Sequence, residues 1–400
     1  MPALRRTAIN LLRCQAYCGY AMAACFRRLP GVSRWLELPN GRMVSWVGRE
    51  KSEPMGERIV VDAPRPILYQ LPITLDGSSH DSFQPLVTRR TEGTYVAVLR
   101  NGRFWGRYSG FTFDAAGNLI RELSRDNWYA PRHSALCTMK LPRRRHITGT
   151  VACLCSPYAI NSNYGHWLMD ILPQFDMLLR SGIKLDEIDF FVMRYAGHRY
   201  QRESLELLGI PEGKLIQASD DLHLSADRLL MPFVTSDGSH IAKEGCDFVR
   251  GLFLGSAPRR STGRLLYSSR NDVASRRVLN EPEVLGYLKG LGFEDLILSG
   301  MSVREQAATI FDAKALIGAT GSNLTNILFA PRGGALVEIF SPGWVNRFQW
   351  YICNHIDVRF AYLVSQGQRP PDGKEMRFLT EDVVVDLDEL ARMCRLLGLA

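Results

Sequence analysis

From about residue 147 the chain alternates short apolar runs with amphipathic stretches, and this rhythm constrains the fold more than any single motif. Residues 147–155 (ITGTVACLC), 188–193 (IDFFVM) and 214–218 (KLIQA) read as strands, while a stretch from about 164, 200–209 (YQRESLELLG) and 242–254 (AKEGCDFVRGLFL) read as helices. At 255–263 (GSAPRRSTG) Gly, Pro, Ser and paired Arg break both periodicities, which marks a linker. The alternation then resumes, with strands at 264–269, 293–299, 315–319 and 335–340 and helices at 281–292, 303–313 and, more briefly, 323–330. Such alternation is the signature of βαβ units and a parallel sheet. Residues 40–145 read instead as short strands (94–100, 103–107, 110–114, 118–123) punctuated by Asn101-Gly102 and Ala116-Gly117. The expected fold is α/β with a β-rich N-terminal region. Two α/β halves would face a cleft, with ligands outside the carboxyl ends of the strands.

Composition and charge narrow the function. With 400 residues, 46% hydrophobic and 22% charged, disorder, collagen-like repeats and coiled coil are excluded, and two domains are expected. The net charge of +8 is unevenly placed: Arg5, Arg6, Arg13, Arg27, Arg28, Arg34, Arg42 and Arg49 stand against Glu37 alone in the first 49 residues. The remainder is nearly neutral, which excludes a general nucleic-acid binder with a broad basic face. Thr7 to Phe26 is the nearest approach to a membrane span, but Asn10, Arg13 and Gln15 interrupt it. Two readings of the leader stand: a helix lying in an anionic membrane surface, or a packed N-terminal helix with solvated arginines. Nine cysteines without a C-x-x-C pair argue against a disulfide framework or structural zinc and for a reducing, cytoplasmic compartment.

Three constellations can carry chemistry. In 161–175 (NSNYGHWLMDILPQF), wheel arithmetic puts Leu168, Leu172, Phe175 and Leu179 on one face and His166, Asp170 and Pro173 roughly opposite. His166 and Asp170 are i, i+4 neighbours, so either Asp170 accepts a proton from a hydroxyl or His166 does so with Asp170 setting its tautomer. A solvated face with a structural His–Asp pair is the bland alternative. In 316–340 a buried strand runs into Gly318-Ala319-Thr320-Gly321-Ser322-Asn323 and then a short helix, a backbone arrangement suited to a diphosphate. The same turn also suits Ser322 or Asn323 as a simple N-cap. Glu338 stands near the carboxyl end of the next strand. In 265–284, Arg270 ends a strand and Arg276 and Arg277 follow in a loop, where guanidinium groups suit phosphate oxygens. Asn280 with Glu283 reads as a helix cap and its partner, and Asp386-Leu387-Asp388 as a cap rather than a metal motif.

The run N-Y-G-H-W-L-x-D-x-L-P (163–173), then Y-x-S-R and R-R-x-x-N-E (267–281), then G-x-x-G-x-x-L-T-N-x-L-F-A-P with V-E-I (318–339), resembles the family 61 glycosyltransferases, which include bacterial capsule and exopolysaccharide proteins. The resemblance covers about residues 130–345. It implies a GT-B-like architecture of two Rossmann-like domains and inverting transfer from a nucleotide sugar, a UDP-sugar first, without metal or cofactor. It further implies that Arg270, Arg277, Gly321, Ser322 and Asn323 hold the donor diphosphate. Glu338, Thr320 and Asn326 would contact donor nucleoside or sugar, His166 and Asp170 would face the reacting sugar, and Asn163 and Tyr164 would lie on the acceptor side. Thr320 stands where the family often has His, and Asn323 where Gly is common.

The domains expected are a basic leader (1–39), a β-rich plus α/β acceptor-side domain (40–255), a nucleotide-sugar domain (264–345) and a C-terminal segment packing back on the body (346–400). Asp170 is the expected base, with His166 as its partner or substitute. The acceptor is expected to be a glycan, free or lipid-linked, reached from the cytoplasm or from the inner face of the plasma membrane. A non-catalytic sugar- or nucleotide-binding subunit is the rival reading. Phosphoryl transfer is disfavoured because the Lys and metal carboxylates it needs are missing.

Overall fold

The computed structural model describes residues 18–45, 56–84, 87–91, 93–124, 133–156, 163–233, 242–255, 261–366 and 379–400. The first 17 residues of the leader and residues 256–260 of the expected linker lie outside them. The chain divides into two compact units. One comprises Met1–Ala63, Glu92–Gln201 and Leu205–Gly238; the other comprises Pro64–Thr91, Arg202–Ser204 and Ser239–Ala400. Among the described residues no helix is long and apolar enough to cross a membrane.

The first unit is built on one mixed sheet. Strands β1 (Arg145–Cys153), β2 (Phe190–Met193), β3 (Leu215–Gln217) and β4 (His223–Phe233) are mutually parallel in the order β4-β1-β2-β3. The 11-residue β4, which the sequence reading left without a strand, is the keystone. One edge pairs parallel with β1, and the other pairs antiparallel with Thr94–Arg100 and Arg103–Trp105. The short N-terminal strands thereby join the same sheet as the parallel ones, and Val151, Cys153, Val192, Leu224 and Leu229 share a core with Leu99 and Phe104.

The second unit holds a five-stranded, all-parallel sheet. Its strands are β5 (Arg264–Ser268), β6 (Phe293–Leu296), β7 (Ala313–Ala319), β8 (Ala335–Phe340) and β9 (Arg359–Val364), in the order β6-β5-β7-β8-β9. Counted along the chain this is 2-1-3-4-5, a doubly wound sheet whose direction of winding reverses between its first and third strands. Helices α1 (Glu281–Gly290), α2 (Val303–Phe311), α3 (Phe348–Ile356) and α4 (Leu387–Leu397) belong to this unit. β7 and β8 read as apolar runs because helices cover both sheet faces, and every residue of β8 is buried. Segment 346–400 is integral here: it supplies β9 at the sheet edge, α3, and α4, whose Leu390, Met393, Cys394 and Leu397 enter the main core. Asp386 caps α4 by accepting from the Asp388 and Glu389 amides, the role read for it in the sequence.

Candidate active site

In the first unit, chemistry collects just beyond the carboxyl end of β1. Pro173 carries no N–H, and its ring crowds the carbonyl four residues back, so an unbroken α-helical ladder cannot run through 169–173. The chain resolves this with one π turn over Trp167–Ile171, in which the Leu172 N–H reaches the Trp167 carbonyl. Asn163 starts the helix, its side chain accepting from the His166 amide at 3.3 Å. Leu168, Leu172 and Phe175 are fully buried, but Leu179, expected on the same face, is 43% exposed in the last turn of the helix Leu172–Arg180.

Asp170, expected to face outward, is buried, with 8% of its surface exposed. His166 Nδ1 stands 3.1 Å from Asp170 Oδ2, and Ser156 Oγ donates to the same oxygen at 2.7 Å. An Nδ1–H tautomer donates to the carboxylate and turns Nε2 into the basic nitrogen. The His166 side chain is the more exposed of the pair, 25% against 11%. The Asp170 backbone is pinned too, since Gln174 Nε2 donates to its carbonyl at 2.8 Å and to that of Cys155 at 3.2 Å. Tyr164 packs edge-to-face on Tyr200 with centroids 5.2 Å apart, and His198 stacks on Tyr200 at 5.4 Å. Ser156 was missed in the sequence. The signal for it was its place directly after a parallel strand, where ligand-binding residues concentrate.

In the second unit, the winding reversal puts the ends of β5 and β7 side by side, and the predicted arginine and glycine turn occupy them. Ser268, Gly318, Glu338 and Tyr362 pair in register across β5, β7, β8 and β9, so they lie in one row on one face. Gly318 leaves that row without a side chain in its middle. Asn323 spans the strand ends: its Oδ1 accepts from Arg270 Nη1 at 2.8 Å and its Nδ2 donates to Ser268 Oγ at 2.7 Å. Its side chain is therefore not the N-cap of Ser322–Phe329, which is a 3-10 helix with no side-chain cap. Gly321 is extended, with φ 171, so backbone freedom does not explain the glycine; a Cβ there would collide with Arg270 Nη1 and Asn323 Oδ1.

Arg270 is buried, its Nη2 donating to the Ser275 carbonyl at 3.2 Å and its Nε without a partner among the described residues. Burial first and the neighbouring Arg276 charge second pull its pKa down to about 10. Glu338 is fully buried, and among the described residues neither carboxylate oxygen meets the geometry of a hydrogen bond. Burial pushes its pKa up to about 8, against the opposing pull of Thr320 and Arg276. Thr320 Oγ1 accepts from Asn346 Nδ2 at 3.1 Å, and Gln349 Nε2 donates to the Gly321 carbonyl at 3.1 Å. Asn326 is wholly buried and bonds Gln306 Oε1 and the Asn323 carbonyl, which makes it a support of the turn.

Arg277 is not with Arg270. Its amide and guanidinium both bond Asp382, with Nη2 at 2.7 Å, and the side chain is 48% exposed. Residues 277–279 pair with Val383, and this extended pairing turns successive side chains to opposite sides. Asn280 holds the N-cap position expected of it but makes no side-chain cap; its amide exchanges two hydrogen bonds with the Val385 backbone instead. Its neighbour Glu281 is buried and accepts from the Tyr267 hydroxyl at 2.9 Å. Among the described residues no group of three or more His, Cys, Asp or Glu could hold a metal ion.

Residues 164–337 match the family model described as Glycosyltransferase 61. The match opens at Tyr164, two residues before His166, and closes one residue before Glu338, so it spans the glycine turn and both arginine positions. No curated protein matches the chain.

Proposed function

Because the match over residues 164–337 assigns this chain to the glycosyltransferase 61 family, we propose that it is an inverting enzyme that moves a sugar from a nucleotide-sugar donor, UDP-linked first, to a glycan acceptor. The observation that carries the reading is the pairing of a buried Arg270 with Asn323 at the winding reversal of the second unit, a prepared site for the diphosphate that must leave. The first unit supplies the other requirement, a base for the acceptor hydroxyl. The pair acts as one acid–base group: Asp170, held by Ser156, orients the imidazole, and His166 takes the proton. This shifts the leading role from Asp170 to His166, since both donors converge on the one Asp170 oxygen.

The GT-B plan that the family resemblance implies is supported by one unit with four parallel strands in a mixed sheet and a second with an all-parallel sheet. The run of eight arginines in the first 49 residues supports a place beside an anionic membrane on its cytoplasmic face, where a lipid-linked acceptor for surface polysaccharide would be met. No residue is assigned to a metal. The test is thermal unfolding of the full chain with UDP, GDP, ADP and CMP, then with their sugars. A bound ligand raises the unfolding midpoint in proportion to its affinity. The reading expects a nucleoside diphosphate to stabilise the wild type and to lose most of its effect in Arg270→Ala. Binding without any turnover of a nucleotide sugar would favour a non-catalytic binding subunit, and no shift with any of them would contradict both.

A further inference from the structure

Arg276 lies in the loop between β5 and α1. It is a non-glycine residue in the left-handed region, with φ 57, a conformation that costs free energy and persists only where surrounding structure enforces it. The enforcing contacts are visible: the Arg276 amide bonds the Thr380 carbonyl, and the Arg277 amide and guanidinium fasten to Asp382. Arg277 is thereby turned outward and Arg276 inward. The Arg276 guanidinium makes no hydrogen bond among the described residues, and its Nε is buried without a partner. Arg270 Nη2 bonds the carbonyl of Ser275 at 3.2 Å, the residue directly before Arg276, and the Arg276 charge acts on both Arg270 and Glu338.

Two guanidinium groups brought together with a buried, partnerless Nε on each repel one another, and folding alone gives no return for that arrangement. The return comes with an anion that both can hold. Arginine forks suit phosphate oxygens, and two of them side by side suit two linked phosphoryl groups better than one. We propose that Arg276, and not its neighbour Arg277, is the second arginine of the diphosphate site. The inference rests on the donor reading above but needs only the anion, not the transfer.

The test uses inorganic pyrophosphate and, separately, inorganic phosphate, titrated calorimetrically into the full-length wild type and into Arg276→Ala, Arg276→Lys, Arg277→Gln and Arg270→Ala. Each variant's circular dichroism and unfolding midpoint are recorded first. The wild type is expected to bind pyrophosphate at least 10-fold more tightly than phosphate. Arg276→Ala should lose at least 10-fold for pyrophosphate, and Arg277→Gln should stay within about 2-fold. Arg276→Lys keeps the charge without the fork and should still lose several-fold, which keeps the test open if the alanine variant does not fold. Wild-type affinity in both Arg276 variants, or an equal loss in Arg277→Gln, would overturn the assignment of Arg276 while a loss in Arg270→Ala left the donor reading intact. Failure of the wild type to bind pyrophosphate would overturn both.

Discussion

Asn323 locks Arg270 in place: one side-chain amide accepts from the guanidinium at 2.8 Å and donates to Ser268 at 2.7 Å, joining the ends of β5 and β7. Arg270 is thereby pre-oriented before any ligand arrives, and the ordering cost is met in folding rather than in binding.

Removing the clamp should free the arginine without removing it. Asn323→Ala deletes two hydrogen bonds around a buried cation, a loss of about 1–3 kcal/mol. Nucleoside diphosphate affinity, measured by calorimetry, should fall about 10-fold while the enthalpy of binding becomes less favourable. An unchanged affinity would show that Arg270 does not need Asn323.

The acid–base pair should respond in graded fashion. His166→Ala is expected to lower turnover by about 10²–10⁴-fold. Ser156→Ala, which frees one of two donors from Asp170, should lower it less and should shift the acidic limb of the pH–rate profile. Asp170→Asn presents an amide to His166 and should fall near the His166 variant. A Ser156→Ala enzyme with the wild-type profile would remove Ser156 from the site.

Burial of Glu338 makes stability depend on pH in a definite direction. Its carboxyl is pushed up to about 8 from an ordinary 4.5. Between those values the folded chain keeps a proton that the unfolded chain has lost, so this group's contribution to stability falls as pH rises through the window. Glu338→Gln cannot lose that proton. From pH 5 to 8.5 its unfolding free energy should decline less than that of the wild type, by at least about 1 kcal/mol. Parallel curves for the two proteins would contradict the raised pKa.

How much of this was legible in the sequence depended on how local its cause was. The strands of the second unit were readable from their apolar runs, and β8 was read at its observed bounds, Ala335–Phe340, because a buried parallel strand needs nothing but its own residues. β4 was not, since Asp227 and Arg228 break its pattern where it is exposed, and its identity as a strand comes from partners on both edges. Leu179 was misplaced because a wheel gives the face of a residue and not where along the helix the core ends, and Leu179 stands in the last turn. Arg277 was preferred over Arg276 because adjacent arginines are indistinguishable until the pairing of 277–279 with Val383 turns one outward. Ser156 and Asn323 depend on contacts 14 and 53 residues away, and a lone sequence carries no sign of these.

In the proposed reaction the buried Arg270 at the end of β5 drives departure of a nucleoside diphosphate. The direct measurement is the rate at which the full-length protein releases nucleoside diphosphate from nucleotide sugars, compared with Arg270→Ala and His166→Ala. Slow release without acceptor is expected from at least one nucleotide sugar. A fall of about 10²-fold or more in kcat/KM is expected for Arg270→Ala, and a smaller effect of His166→Ala on hydrolysis than on transfer to a glycan. Release that is equally fast in wild type and Arg270→Ala would contradict that role of Arg270.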